Sequence, residues 1–315
     1  MRFFYCLLAL VVVNPVLCSF AQFDVLQTWQ LALKAMETHH ALLYDENITH
    51  ITLSVSDMKY VHGFRNWFYM TGSQGRSLSV VVALDMETCK HMTLYRYAHL
   101  CLEAPLFSVR TRTTMAKILG PLAALSIGKI VTFSEQDVFW QHNPALFLSK
   151  SRADYDIQMS PHVNFPSSAS SPNELNFGFF YAQPTTASVM LFRYALEYST
   201  EHMSLTGTPT WDQKLFDHLI REVRPPSEEA PQWSEQFPQL QHPQWTLRWN
   251  RLPGTLFTHN NRYNFAFRTD TITQHISWGV ESSDDRLQCA YALGIAPLFN
   301  PLSGGSACTP AIVHA

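Results

Sequence analysis

Leu78-Ser-Val-Val-Val-Ala-Leu84 is a run of β-branched and aliphatic residues too continuous for a half-exposed strand. Such a run has to be covered on both faces, as a strand inside a parallel sheet with helices on each side is. Shorter runs at Ile51–Val55 and Lys129–Phe133 read as companion strands, with helical patterns over Val61–Tyr69 and Thr114–Leu125 between them. Two strand–helix–strand steps within the first 140 residues predict an α/β fold with a mostly parallel central sheet flanked by helices.

The rest of the chain extends this pattern. Leu26, Trp29, Leu33 and Met36 recur at helical spacing, so Gln22–His40 is expected to be a helix leading into the domain. Phe177–Tyr181 reads as a strand, and Ala187–Ser199 and Asp212–Val223 as helices. Gly72-Ser73-Gln74-Gly75 marks a break, and Gly120-Pro121 predicts a kink or break inside its helix. Pro161–Asn176 is expected to be a surface loop, and Pro225–Pro243 a long irregular segment. No internal repeat or coiled-coil heptad interrupts the reading of residues 22–315 as a single domain with long loops.

Composition excludes some classes. With 46% hydrophobic, 13% aromatic and only 15% charged residues, the chain is not disordered. A net charge of -3 argues against a nucleic-acid binder working through a broad basic face. Arg2 precedes an apolar run from Phe3 to Val13 and a small-residue region ending Ser19-Phe20-Ala21, so residues 1–21 read as a signal peptide or a short signal anchor. The membrane is a partner only if that leader is retained. Past the leader remain Cys89, Cys101, Cys289 and Cys308, whose simplest connectivity is two local pairs, 89/101 and 289/308; four free thiols are the alternative. Asn47-Ile48-Thr49 is a glycosylation acceptor if the chain enters the secretory pathway.

One segment concentrates chemistry. The strand at Ile130–Phe133 runs into Ser134-Glu135-Gln136-Asp137 and returns at once to Val138-Phe139-Trp140. In extended backbone the side chains of Glu135 and Asp137 point to the same side. The carboxyl end of a strand is where open α/β sheets bind ligands. Two hard oxygen donors there suit Mg²⁺ or Mn²⁺ holding phosphate oxygens. The competing reading is that both carboxylates cap the following turn and face solvent.

The surrounding pattern resembles a nucleotide-diphospho-sugar transferase family that includes plant and algal arabinosyl-, xylosyl- and galactosyltransferases. Ser134-Glu135-Gln136-Asp137-Val138-Phe139-Trp140 with Pro144 is similar to its Ser-Asp-x-Asp-Val-x-Trp…Pro signature. Val80-Val81-Val82-Ala83-Leu84-Asp85 resembles its valine-rich strand, Asn176-Phe177-Gly178-Phe179-Phe180-Tyr181 its Asn-x-Gly-Phe strand, and Asp212-Gln213 its Asp-Gln pair. These matches, in order, cover roughly residues 50 to 280. The departure is Glu135, where the family has Asp.

The resemblance implies a GT-A-like, Rossmann-related fold and a role for each matched residue. Asp137 would contact the metal directly, Glu135 would hold it through water or hold the ribose, and His275 would be a third metal ligand or a diphosphate ligand. Asp85 would lie near the nucleotide base or ribose, and Gly178 would let the backbone pass close to donor or acceptor. Asn176, Asp212 and Gln213 would address the transferred sugar or acceptor, and Trp140, Trp211 or Trp278 could stack on a sugar ring. Against these stand ordinary roles: a helix N-cap for Asp85 and Asp212, a turn at Asn176–Gly178, a structural His275 and core tryptophans.

No Gly-x-Ser-x-Gly, His-Glu-x-x-His, Walker-type or Gly-x-Gly-x-x-Gly motif occurs. The resemblance implies a retaining glycosyltransferase, and the leader places it in the secretory pathway, in the Golgi lumen or secreted, by expectation. It would use Mn²⁺ or Mg²⁺ and a nucleotide-sugar donor, UDP-linked by expectation, and a glycan or glycoprotein acceptor. The alternatives are a non-catalytic relative that binds glycan or a partner, and a secreted hydrolase with a carboxylate pair.

Overall fold

The computed structural model describes residues 15–44, 48–73, 78–102, 108–148, 154–161, 175–206, 212–222, 247–254, 256–261, 271–278 and 290. A long helix α1 (Pro15–Tyr44) precedes β1 (His50–Ser56), α2 (Val61–Ser73), β2 (Leu78–Ala83), α3 (Met86–Leu94), β3 (His99–Cys101), α4 (Val109–Ser126) and β4 (Ile130–Ser134). Then come β5 (Val138–Trp140), α5 (Pro144–Leu148), β6 (Ile157–Pro161), β7 (Leu175–Ala182), α6 (Thr186–Thr206) and α7 (Asp212–Glu222). The last strands are β8 (Trp249–Arg251), β9 (Phe257–Asn261) and β10 (Thr273–Trp278).

The central sheet has seven strands in the order β3-β2-β1-β4-β7-β6-β8. Strands β3, β2, β1 and β4 are parallel, β7 is antiparallel to both β4 and β6, and β8 is parallel to β6. The valine-rich run explains the layering. Val80 and Val82 face a core shared with Trp29 and Leu33 of α1, with α4 and with α6, whereas Val81 faces Phe64, Trp67 and Met92 of α2 and α3. Both faces are covered, as an unbroken apolar strand requires.

Sequential order fails between β1 and β4. The chain moves outward from β1 to β2 and β3, then crosses back to place β4 on the other side of β1. Their carboxyl ends, Ser56 and Ser134, flank the crevice at which doubly wound sheets bind ligands. A second sheet of three strands, β5-β10-β9, closes over this edge. Its β10 runs antiparallel to β5 and puts His275 opposite Val138.

One expectation needs correction. Helix α4 is continuous through Gly120-Pro121, with no break there. Pro121 has no N–H for the carbonyl of Lys117, but residues 114–125 are all buried, and that packing outweighs one missing bond. Gly120 is the close contact: a Cβ there would stand 3.3 Å from Val82 and 3.6 Å from Leu53. Helix α2 runs through Gly72 and ends at Ser73, and Gln74 and Gly75 of the expected break lie outside the described residues. Residues 225–243 and the pair Cys289/Cys308 lie outside the described residues. Cys89 and Cys101 are joined, tying α3 to β3. No helix among the described residues is long and apolar enough to cross a membrane.

Candidate active site

Strand β4 ends at Ser134 beside Phe179 of β7, and the next residue still bonds across: the Glu135 N–H donates to Gly178 O at 2.8 Å. The chain then turns, with Val138 N–H donating to Glu135 O at 3.1 Å, and leaves as β5. The Ile276 N–H donates to Asp137 O at 2.9 Å, so β10 is fastened to the turn between the two acids. His275, one residue away, thereby reaches both carboxylates. Its Nε2 is 3.3 Å from Asp137 Oδ1 and 3.5 Å from Glu135 Oε2. One ligand atom from each of Glu135, Asp137 and His275 lies within 4.8 Å of the others, Asp137 and His275 being buried and Glu135 partly so.

Asn176 and Gly178 support this cluster from β7. Asn176 Oδ1 accepts from the Gly178 N–H at 2.7 Å, which aims its Nδ2 at His275 Nδ1, also 2.7 Å away. The imidazole is held by its far nitrogen and turns Nε2 to the acids. Gly178 has to be glycine for a steric reason. A Cβ there would collide with the Glu135 carboxylate and come within 2.7 Å of His275 Cε1 and 2.9 Å of Asn176 Oδ1.

Lys117 completes the site, and sequence reading passed it over. It lies in α4, 5% exposed, with its ammonium 2.5 Å from Glu135 Oε1 and also donating to Asp212 Oδ2 at the start of α7. Burial alone would lower its pKa, but the Asp212 and Glu135 carboxylates outweigh that and hold the ammonium charged well above the ordinary lysine range. The signal was available, since Lys117 is the one charged residue between Arg112 and Lys129. Asp57 at the end of β1 was also missed. Burial first, then the nearby Asp85 charge, raise its carboxyl above the usual range against the Lys59 N–H, Lys59 and Arg112.

The remaining sequence-predicted residues fall as follows. Gln213 Oε1 accepts from the Phe177 N–H at 2.9 Å, anchoring α7 to β7, and Phe216 stacks on Phe177. Asp85 caps α3, its Oδ1 accepting from Thr88 N–H at 2.7 Å. Trp140 is buried in the core of the smaller sheet, its indole N–H donating to Ser134 Oγ at 3.0 Å and its ring edge-on to Phe179. The structure thus joins Glu135, Asp137, His275, Asn176, Gly178, Asp212 and Gln213 into one network, whereas Asp85 and Trp140 have separate structural partners.

The model of the nucleotide-diphospho-sugar transferase family matches residues 76–279, which include every residue of that network. The chain belongs to this family. The transferase is therefore an enzyme that transfers sugar from a nucleotide-diphosphate donor, on a mixed α/β fold with a large, mostly parallel central sheet. It is similar to the solved galactosyltransferase LgtC (9% identity, TM-score 0.44, covering 80% of this chain and 98% of that one). It is also similar to mouse xyloside xylosyltransferase 1 (10% identity, TM-score 0.41, 72% and 96%). A glycosyltransferase involved in glycosylating the major capsid of PBCV-1 is a third (10% identity, TM-score 0.41, 75% and 98%). No curated protein sequence matches the transferase.

Proposed function

We propose that the transferase uses a divalent cation, Mn²⁺ in preference to Mg²⁺, to bind a UDP-linked sugar and passes that sugar to a glycan or glycoprotein with retention of anomeric configuration. The observation that carries this reading is the convergence of Glu135, Asp137 and His275 at the crevice between β1 and β4. Two carboxylates suit such an ion, and the His275 imidazole joins them and tips the donor set toward Mn²⁺ once the Asn176 contact rearranges so that Nδ1 carries the proton, because the amide N–H₂ donates to Nδ1 and leaves the proton on Nε2. Charge supports it too. Three carboxylates, Glu135, Asp137 and Asp212, against the Lys117 ammonium leave a charge of -2 before the imidazole is counted.

When bound, the cation stabilises the negative charge that builds on the departing diphosphate. The chain's own residues do the positioning. Asn176 fixes the imidazole, and Gly178 keeps the space in front of Glu135 open. Lys117 holds Asp212 at the same site, leaving its second carboxylate oxygen for a sugar hydroxyl, and Gln213 keeps its amide N–H₂ for the same use. Glu135 fits this arrangement despite the family's Asp, because its longer side chain meets Lys117 with one oxygen and the His275 side with the other. That supports the catalytic reading over a non-catalytic relative. The Cys89–Cys101 bond supports an oxidising compartment, and the Golgi lumen is the proposed location.

Calorimetric titration with UDP, with and without Mn²⁺, tests the reading. Wild-type protein is expected to bind UDP only with the cation, and Asp137→Asn to lose that dependence while keeping its circular dichroism spectrum. Cation-dependent binding that survives Asp137→Asn unchanged would overturn it.

A further inference from the structure

Gln136, between the two acids, points away from their network. Glu135 turns toward Lys117 of α4 and, with Asp137, meets His275. Gln136 alternates to the other side of the chain, toward α2. There it lies against Gly63 in the first turn of that helix, where a Cβ would stand 3.0 Å from Gln136 Oε1 and 3.6 Å from Gln136 Cβ. The missing side chain at Gly63 is what leaves room for the amide.

That amide is 6% exposed, and among the described residues neither Oε1 nor Nε2 has a hydrogen-bond partner. Burial of this kind destabilises the free chain, because the group has lost water without gaining a protein partner. Two more such atoms lie on the same side of the sheet. Asn66, three residues after Gly63 and so on the same face of α2, is buried; its Nδ2 donates to the Met70 sulfur at 3.6 Å, but its Oδ1 has no partner among the described residues. Ser54 of β1 is fully buried, with Oγ likewise unpartnered. It pairs in register with Val81, whose side chain packs with Phe64 and Trp67 of α2, so Ser54 faces that helix as well.

Position decides what the amide is for. Strands β1 and β4 are where the sheet reverses its order, and Gln136 stands two residues past the end of β4, against the helix that follows β1. Ligands of open α/β sheets bind at that crevice. The first turn of α2 also carries backbone N–H groups with no partner inside the helix. The polar set is thus one acceptor, Gln136 Oε1, with donors around it. A uracil ring presents the complement, an N3–H donor between two carbonyl acceptors. Turning the amide from Gly63 into the crevice breaks no hydrogen bond, because it makes none there.

We propose that Gln136 reads the nucleobase of the donor, its Oε1 accepting from uracil N3–H and its Nε2 donating to a neighbouring carbonyl, and that its amide stays unpaired until the base arrives. The acids address the diphosphate from one side of the turn while Gln136 addresses the base from the other. The choice of uracil rests on the proposed UDP-linked donor; the nucleotide class does not.

Calorimetry in the presence of Mn²⁺ tests this by comparing UDP with N3-methyl-UDP, in which a methyl group replaces the proton that Oε1 accepts. Wild-type protein is expected to bind UDP about tenfold or more tightly than the methylated analogue. Gln136→Ala, which removes the amide and opens room for the methyl group, should bind the two alike. Equal binding by wild type, or a preference that persists in Gln136→Ala, would overturn the assignment. Gln136→Leu reports on the free chain: with an unpaired amide replaced by an apolar side chain, it should melt no lower than wild type. A melting point several degrees lower would mean that the amide already holds a partner, such as an internal water, and would overturn the proposal as well. If wild type binds neither nucleotide, the UDP-linked donor falls and this assignment with it; UDP binding indifferent to residue 136 removes the assignment alone.

Discussion

Lys117, in the middle of α4, lies 2.5 Å from Glu135, just past the end of β4. The same ammonium donates to Asp212 of α7, so one buried cation joins the helix under the sheet, the turn that carries Glu135 and Asp137, and the helix that follows β7 and α6. Its desolvation is balanced only while both carboxylates are present. Lys117→Met should cost about 3–5 kcal/mol, the range for breaking a buried pair by removing one partner. Urea denaturation measures this, and the double variant Lys117→Met/Asp212→Asn should regain part of the loss. A loss below ~1 kcal/mol for the single variant would show that the contact does not hold the site together.

Gly178→Ala puts a methyl group where the Glu135 carboxylate, His275 Cε1 and the Asn176 amide converge. Overpacking of this kind costs about 1–3 kcal/mol, here taken up by displacing the Glu135 and His275 side chains rather than the strand. The expected result is a protein that melts within a few degrees of wild type and binds Mn²⁺ at least tenfold more weakly. Unchanged Mn²⁺ affinity would mean that Glu135 and His275 bind no ion in the geometry described.

The Cys89–Cys101 bond closes a short loop, with a sequence separation of 12 between α3 and β3. Loop-closure entropy alone gives about 3 kcal/mol for a loop of this size. Reduction should therefore lower the urea midpoint of wild-type protein and leave that of a Cys89→Ser/Cys101→Ser variant unmoved. Trp29, whose indole bonds to Cys101 O, offers a fluorescence signal for the same transition.

Much of this architecture was legible because burial on two faces leaves a strong mark. Leu78–Leu84 and Ile51–Val55 matched strands to within a residue or two, and Asp212–Val223 matched α7. Strands β3, β5 and β8 were missed because three residues give no period to read. The second sheet was missed for a different reason: β10 pairs with β5 from more than 130 positions away in the chain, and nothing local in Thr273–Trp278 announces that partner. The acids of the site were legible from i, i+2 spacing, whereas the bond from Asn176 to His275 is a product of folding alone. Asp85 and Trp140 illustrate the opposite case. Each sits beside a motif, and each is tied to its own helix or core by an ordinary hydrogen bond.

His50 sets an acid limit on stability. At the start of β1 its Nε2 lies 2.7 Å from Thr132 Oγ1 and its ring meets Tyr181 edge-on, so burial pushes its pKa down to about 4. The unfolded chain takes up that proton near pH 6.5, before the folded one does. Stability is therefore complete above about pH 6.5 and is lost as pH falls from there toward 4, because the unfolded state binds the extra proton. His50 keeps some solvent contact, so the loss is placed at about 1–2 kcal/mol rather than the full value of the shift. His50→Gln should be less stable than wild type at pH 7.5, because a ring contact is gone, yet show a smaller further drop at pH 4.5. Urea midpoints at the two pH values measure both effects, and equal drops for the two proteins would assign the acid sensitivity to other groups.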